Sequence, residues 1–280
     1  MAVSHDASID AQAMKIIAEL KAGTKTIADL LGPLTGTPDM TPSIKVRPGT
    51  KDPVPAAPQA EFLPKDAYNT KLVANVGPTD YVNPQPLEKY DLVVIGSGAA
   101  GLLSVIIANG LGKTCALVEQ HAMGGDCLNV GCALIACATR LHDVRNSAEY
   151  GVELSGEVKV DFSKVMQRMR RIRSDISEHD SVARYSRDFV KHIYLGRGVF
   201  TSENTIEVAG KKLKFDKAMV ATGASAAVPP VPGLKDIPHL TNSNFWNLEE
   251  LPPRMGVIGA GPIGLELSQS MQRFGCKVTV

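Results

Sequence analysis

Short apolar runs alternate with helical patterns from residue 90 onward. Residues 91–95 (DLVVI) have the length of a buried strand, and the glycine-rich segment 96–101 (GSGAAG) leads into a helical pattern at 99–109. A second apolar run at 113–118 ends at Glu119. A strand, a glycine turn, a helix and a second strand together predict a β-α-β unit with parallel strands.

The same order recurs near the end of the sequence, about 163 residues later. The apolar run 254–258 precedes the glycine segment 259–264 (GAGPIG), a helical pattern at 265–274 and a strand-like run from residue 276. This repetition predicts two nucleotide-binding units in one chain. Between them lie a helical region at 138–190 and strand-like runs at 193–195, 205–208, 211–215 and 217–221.

The first 88 residues have a different pattern. Apolar positions at helical spacing predict two short amphipathic helices between residues 9 and 31. From Pro33 to Pro86 the chain carries 11 of its 18 prolines, which predicts a mostly irregular linker. A docking or targeting arm and a solvated tail are both open interpretations of this extension. The predicted organisation is an extension and linker at 1–88, a nucleotide-binding domain at 89–240 and the start of a second at 241–280.

Composition narrows the class of function. The 280 residues are 44% hydrophobic and carry a formal net charge of +1, so the charge balance does not predict binding to nucleic acid or to a membrane surface. No apolar run approaches the roughly 20 residues of a membrane-spanning helix. The N-terminus lacks the basic-then-apolar order of a secretory signal, so we expect a cytoplasmic protein.

Each part of the first β-α-β unit has a physical role in binding a dinucleotide. Gly96 permits the tight turn, Gly98 lets a pyrophosphate approach the backbone, and Gly101 lets the helix pack on the sheet. The helix N-terminus at Ala99-Ala100 offers N–H groups to the phosphates. Glu119 can accept hydrogen bonds from ribose hydroxyls. The competing interpretation is a turn that serves packing only, but the complete set of strands, glycines and carboxylate favours dinucleotide binding.

Two cysteines follow the second strand. Cys127 lies within eight residues of Glu119, and Cys132 lies five positions further on. In a doubly wound fold the loop after a strand lies beside the ligand, which predicts both cysteines near the nucleotide. Their spacing is not that of a zinc site and His121 is the one histidine nearby, so a redox pair is favoured over inert or metal-binding cysteines, and no metal site is predicted.

The segment 124–132 (GGDCLNVGC), downstream of the first glycine turn, resembles the class I pyridine nucleotide-disulfide oxidoreductases, and most closely their mercuric reductase-like branch. The resemblance covers about residues 90 to 280. It implies an α/β fold of the FAD/NAD(P)-binding Rossmann-like type (three-layer ββα), with tandem nucleotide-binding domains of which the second is incomplete. It also implies that the first nucleotide is FAD and that full-length relatives are homodimers.

The resemblance assigns roles to individual residues. In the family, electrons pass from NAD(P)H through FAD to a disulfide and then to a small-molecule disulfide or a soft metal. Cys127 is by resemblance the interchange thiol that faces the substrate, and Cys132 is the charge-transfer thiol against the flavin. The resemblance places Gly125, Asp126, Thr222 and Gly223 at FAD, and Gly259, Gly261, Pro262, Ile263 and Gly264 at the nicotinamide nucleotide. The residue that distinguishes NAD from NADP is expected past Val280, so the sequence does not choose between them.

One position departs from the family pattern. The family carries a lysine near flavin N5, paired with a glutamate, at positions that correspond to Ala136 and Glu266. An unpaired carboxylate buried at a flavin would be costly, because burial disfavours its charged form. This departure predicts impaired hydride transfer, and with it a second interpretation of the chain as a truncated flavin-binding remnant without turnover.

Overall fold

The computed structural model describes residues 61–129 and 131–280, with residues 15, 18, 19, 22 and 24 as isolated positions before them. Cys132 is described by its backbone only. Apart from those isolated positions, the helices predicted between residues 9 and 31, and the proline-rich tract as far as residue 60, lie outside the described residues. The predicted division at residues 88 and 240 stays a prediction.

The described chain contains α-helices and strands with the following bounds. The helices are α1 (Ala67–Val76), α2 (Ala99–Gly110), α3 (Gly125–Asn129), α4 (Cys132–Arg145), α5 (Phe162–Ile176), α6 (Val182–Asp188) and α7 (Pro262–Phe274). The strands are β1 (Tyr90–Ile95), β2 (Cys115–Glu119), β3 (His192–Leu195), β4 (Val199–Ser202), β5 (Thr205–Val208), β6 (Lys211–Val220), β7 (Arg254–Gly256) and β8 (Lys277–Thr279).

The described residues form two compact units. The first contains Ala74–Gly125 and Glu178–Gly223, and the second contains Glu61–Val73, Asp126–Ser177 and Ala224–Val280. Within the described residues, no helix combines the length and the apolar character that crossing a membrane requires.

A six-stranded sheet organises the first unit, in the order β3-β2-β1-β6-β5-β4. Strand β1 pairs in parallel with β2 on one side and with β6 on the other, as the β-α-β pattern predicts. Strand β6 is continuous over the two runs predicted at 211–215 and 217–221: its first half pairs antiparallel with β5, and its second half pairs parallel with β1. The α/β class is therefore confirmed.

Burial explains why β2 reads as an unbroken apolar run. All five of its positions are buried, as expected for an inner parallel strand covered on both faces.

The edge strand β3 is covered by the chain segment that follows α1. Tyr81 Oη donates to the Ile193 carbonyl, and the Asn83 side chain both donates to the Leu195 carbonyl and accepts from the Leu195 N–H. Residues 81–83 thus satisfy edge groups that would otherwise be open.

The second unit is built around packed helices. Helices α4, α5 and α7 share a core that includes Leu134, Met166, Met271 and Trp246. The parallel strands β7 and β8 flank α7 in the chain and pair with each other, which reproduces the predicted second β-α-β pattern.

Helix α1 lies within the stretch whose proline content predicts an irregular linker. Asp66 directly precedes the helix, and its carboxylate accepts the Asn69 N–H at 2.8 Å and so caps the first turn.

Candidate functional site

The first glycine turn follows β1 and leaves no room for side chains at two positions. Gly96 has φ +100°, and a Cβ there would lie 2.2 Å from the Ala221 carbonyl oxygen. A Cβ at Gly101 would lie 1.9 Å from the Gly96 carbonyl oxygen. Both contacts are with backbone, which cannot move aside as a flexible side chain can. The turn therefore depends on glycine at these positions, as predicted for a tight turn and for close helix packing.

Gly98 meets the loop after β2 backbone to backbone. The Gly124 N–H donates to the Ser97 carbonyl at 2.9 Å. A Cβ on Gly125, which has φ +61°, would lie 2.6 Å from Gly98 Cα. A Cβ on Gly98 itself would meet Gly125 Cα at 3.7 Å, an ordinary contact distance. The loop and the turn thus form one backbone-walled cradle.

The N-terminus of α2 opens at this cradle. Gly98 is the N-cap in an extended conformation, and no side chain caps the helix. Ala99 and Ala100 are exposed. Uncapped N–H groups and the helix dipole favour an anionic group at such a position. The residues present therefore fit the pyrophosphate of a dinucleotide.

Glu119 at the end of β2 is held by the turn. It is 9% exposed. Its Oε2 accepts from the N–H and the hydroxyl of Ser97, at 2.9 Å and 2.6 Å, and its Oε1 accepts from the His121 N–H at 2.7 Å. A carboxylate oxygen accepts two hydrogen bonds, so Oε1 retains capacity for one more. Glu119 thus braces the turn and can still accept from a ribose hydroxyl.

We expect Glu119→Gln to lower the free energy of unfolding by about 1.5 kcal/mol, because the amide nitrogen would face N–H donors in place of one oxygen. Urea denaturation without added nucleotide measures this. Glu203→Gln is the matched control, since Glu203 is exposed in the turn between β4 and β5. Equal stability of the two variants would show that Glu119 does not brace the turn.

Thr222 and Gly223 follow β6 at the same edge of the sheet. The Ala221 N–H donates to the Ile95 carbonyl at 2.8 Å, so the chain leaves β6 beside the glycine turn. Both residues are exposed, and Gly223 has φ +65° with no heavy atom within 4 Å of an added Cβ. The structure therefore brings these two predicted residues next to Gly96, and their contact with a flavin stays a prediction.

The second glycine turn, in the second unit, repeats the geometry of the first. Gly259 has φ +113°, and a Cβ on Gly264 would lie 2.2 Å from the Gly259 carbonyl oxygen. The N-caps also match: Gly261 has φ −74° and ψ 174°, and Gly98 has φ −75° and ψ −174°. Pro262 occupies the first position of α7, and Ile263 is exposed. This turn has the shape of a second nucleotide site.

Cys127 is exposed on α3, beside the exposed Asp126. Cys132 begins α4. Because the Cys132 side chain is outside the described features, the disulfide stays a prediction.

The other three cysteines are poor nucleophiles. Burial, with a smaller contribution from Asp91, raises the pKa of Cys115 to about 11. Burial raises the pKa of Cys137 against the opposing charge of Arg168, and burial also raises the pKa of Cys276. A thiol with a raised pKa has little thiolate at neutral pH, which leaves Cys127 as the better candidate for reaction with a substrate.

The positions of the family's lysine and glutamate lie on packed helices of the second unit. Ala136 is on α4 and Glu266 is on α7, and these two helices pack together. Both residues are exposed. The cost predicted for a buried, unpaired Glu266 therefore does not arise in this structure. Among the described residues, no group of three or more histidine, cysteine, aspartate or glutamate side chains comes together as a metal site.

Several residues of the site carried no clear sequence signal. Ser97 occupies a variable position of the fingerprint, and its hydroxyl contact with Glu119 depends on the folded turn. Asn69 and Arg173 lie 104 residues apart, and Arg173 donates to the carbonyl of Asn129 within the cysteine motif. Their contact is long-range, so no local spacing could have revealed it.

Comparison with known proteins agrees with this geometry. Residues 90–280 match the family model for pyridine nucleotide-disulphide oxidoreductases. A dihydrolipoyl dehydrogenase from Acholeplasma laidlawii is 33% identical over 201 residues, covering 69% of this chain and 59% of the relative. A mercuric reductase from Bacillus cereus is 29% identical over 229 residues, covering 80% of this chain and 36% of the relative. The chain thus spans between about a third and three fifths of these relatives.

A solved structure gives the same result for the fold. The HOCl-induced flavoprotein disulfide reductase RclA from Escherichia coli superposes with a TM-score of 0.56 at 28% identity, covering 68% of this chain and 41% of that one. The predicted FAD/NAD(P)-binding Rossmann-like fold is confirmed by this similarity together with the family match.

Proposed function

Because the chain belongs to the pyridine nucleotide-disulphide oxidoreductase family, we propose that it binds FAD at the first glycine turn and exchanges electrons with thiols through Cys127 and Cys132. The second glycine turn binds NAD(P)H as the reductant. The final acceptor is a small-molecule disulfide or a soft metal ion. The alternative is a flavin-binding remnant without turnover, which the alanine at position 136 favours.

The observation that supports FAD binding best is the backbone-walled cradle. Gly96, Gly98 and Gly125 keep side chains away from the place where the α2 N–H groups are uncapped. Those groups hold the pyrophosphate, and the remaining acceptor on Glu119 Oε1 orients the ribose. Bound FAD supplies two-electron transfer between the nicotinamide and a disulfide.

The exposed Cys127 is the cysteine that reacts first with the substrate. In the reduced pair, the Cys127 thiolate attacks a substrate disulfide, forms a mixed disulfide and releases one substrate thiol. Cys132 then attacks Cys127 sulfur, which releases the second substrate thiol and leaves the Cys127–Cys132 disulfide. Two electrons and two protons pass to the substrate, and NAD(P)H replaces the electrons. A soft metal ion is instead bound by the two thiolates, because such ions prefer sulfur ligands.

Flavin titration and thiol counting test this proposal. We expect the purified chain to quench FAD fluorescence at one equivalent, and dithiothreitol to expose two additional thiols that mass spectrometry maps to Cys127 and Cys132. Cys137→Ser is the control, since it should lose one thiol and keep the change on reduction. FAD binding without a reducible disulfide would support the remnant. The absence of both FAD binding and a reducible cysteine pair would refute both interpretations.

A further inference from the structure

We propose that the segment upstream of the family-matched region positions the cysteine motif, through hydrogen bonds that run from Asn69 to Arg173 and on to Asn129. The inference rests on the proposed function of Cys127 and Cys132. Residues 61–73 precede Tyr90, where the family match begins, yet they belong to the same unit as the motif from Asp126 onward. This gives part of the extension a role in the redox site.

Asn69 is the buried end of the connection. Its side chain is almost fully buried, at 2% exposure. Its amide nitrogen donates to the Pro64 carbonyl at 2.7 Å, and its Oδ1 accepts from Arg173 Nη2 at 2.6 Å. Each side-chain atom therefore has a defined partner, which fixes the orientation of the amide.

Arg173 on α5 links the extension to the motif. It is 2% exposed, and its Nη1 donates to the Asn129 carbonyl at 2.8 Å. The ring of Phe62 lies 5.0 Å from the guanidinium carbon, so the extension also covers the face of the group. Burial and the charge of Arg170 lower the pKa of Arg173 to about 10, with Asp66 opposing them. Arg173 thus stays charged at neutral pH, and a charged donor makes a strong hydrogen bond to a carbonyl.

Asp66 ties Arg170 to the start of α1. One of its oxygens caps the helix through the Asn69 N–H, and the other accepts from Arg170 Nε at 2.6 Å. Arg170 is 8% exposed. Removing Asp66 would be costly, because the buried Arg170 guanidinium would be left without its charged partner. Asp66 and Asn69 therefore hold the extension against α5.

The extension also contacts the chain just before the motif. In the first unit, the Val76 carbonyl at the end of α1 accepts from the Met123 N–H at 2.9 Å. Met123 directly precedes Gly124-Gly125.

Asn129 connects these hydrogen bonds to the geometry of the cysteine pair. Asn129 ends α3 and lies between the two cysteines in the chain. A disulfide requires narrow limits on Cα separation and Cβ direction. Fixing the Asn129 carbonyl restricts the backbone between Cys127 and Cys132, so it favours the geometry in which the sulfurs can bond.

Hydrogen exchange and redox equilibration of the full chain test the proposal. In Asn69→Ala, we expect amides 125–133 to exchange at least threefold faster, with exchange in a peptide from α7 unchanged. In dithiothreitol buffers, the ratio of disulfide to dithiol at Cys127 and Cys132 should fall about tenfold, which corresponds to about 30 mV for two electrons. Asn69→Asp keeps an oxygen for Arg173 but places its second oxygen against the Pro64 carbonyl, so both values should lie closer to wild type than those of Asn69→Ala.

Lys71→Ala is the matched control on the same helix. Lys71 lies 3.8 Å from Asp175 in an exposed ion pair, and its removal should change neither measurement. Unchanged exchange at 125–133 in Asn69→Ala, an equal acceleration in α7, or an unchanged redox ratio would each overturn the inference. If the wild type forms no Cys127–Cys132 disulfide, the proposed function fails while the exchange data still decide whether the extension orders the motif.

Discussion

Gly101→Ala is expected to lower the free energy of unfolding by about 3 kcal/mol, the upper range for overpacking a filled site. An added Cβ would lie 1.9 Å from the Gly96 carbonyl oxygen, and the nearest atom after it is again Gly96 backbone. Helix α2 would have to move away from β1 to relieve the contact. That movement would separate buried residues such as Val105 and Val93 from their neighbours.

Urea denaturation followed by circular dichroism measures this change. Gly98→Ala is the control in the same turn, because its Cβ would meet Gly125 Cα at 3.7 Å and its backbone is already extended. The control should lose no more than about 1 kcal/mol, the difference between glycine and alanine at an N-cap. A loss at Gly101 no larger than at Gly98 would mean that α2 does not pack as closely as the structure has it.

Gly98→Ala is in turn expected to weaken FAD binding about 30-fold, equivalent to roughly 2 kcal/mol, while leaving the fold intact. The added methyl group fits against Gly125, but it occupies the approach to the uncapped N–H groups of α2. A pyrophosphate would then lose close contact with the backbone. Weaker FAD binding by a variant that keeps its fold would identify Gly98 as a residue at the ligand.

Fluorescence titration with FAD measures the affinity. Gly261→Ala is the matched control, since Gly261 has the same N-cap conformation in the second turn and open space around an added Cβ. It should leave FAD affinity unchanged and weaken NAD(P)H binding. If both variants bind FAD as the wild type does, the first glycine turn is not the flavin site.

The glycine turns could be predicted residue by residue because their requirement is local. A tight strand-to-helix turn needs positive φ at Gly96 and close approach at Gly101, and no other residue supplies both without strain. The repeat at Gly259 and Gly264 follows from the same geometry. Strands β1 and β2 were predictable for a related reason, since burial on both faces leaves a continuous apolar run.

Helix α1 was missed because composition dominated the prediction. Prolines flank the segment at Pro64 and Pro78, and they are typical of an irregular linker. Leu72 and Val76 are nevertheless fully buried, and Asp66 provides a cap that a search for short helices would have found. Tertiary contacts, rather than local propensity, stabilise this helix.

Strand β6 shows a second limit of local patterns. Its first half alternates, with Leu213 and Phe215 buried and Lys212, Lys214 and Asp216 exposed, and its second half has a different pattern. This change of pattern along the sequence predicts two separate strands. The structure has one strand because it joins an antiparallel hairpin to a parallel sheet, an arrangement set by partners far away in the sequence.

The covering of β3 by Tyr81 and Asn83 means that the folded part of the chain extends beyond the region that the family model matches. A polypeptide cut at Tyr90, where the match to the family model starts, would keep every residue of both nucleotide turns. It would expose the edge strand β3 to other molecules, and it would remove both Asn69 and Phe62 from Arg173. The family model therefore matches less of the chain than the contacts that stabilise the fold involve.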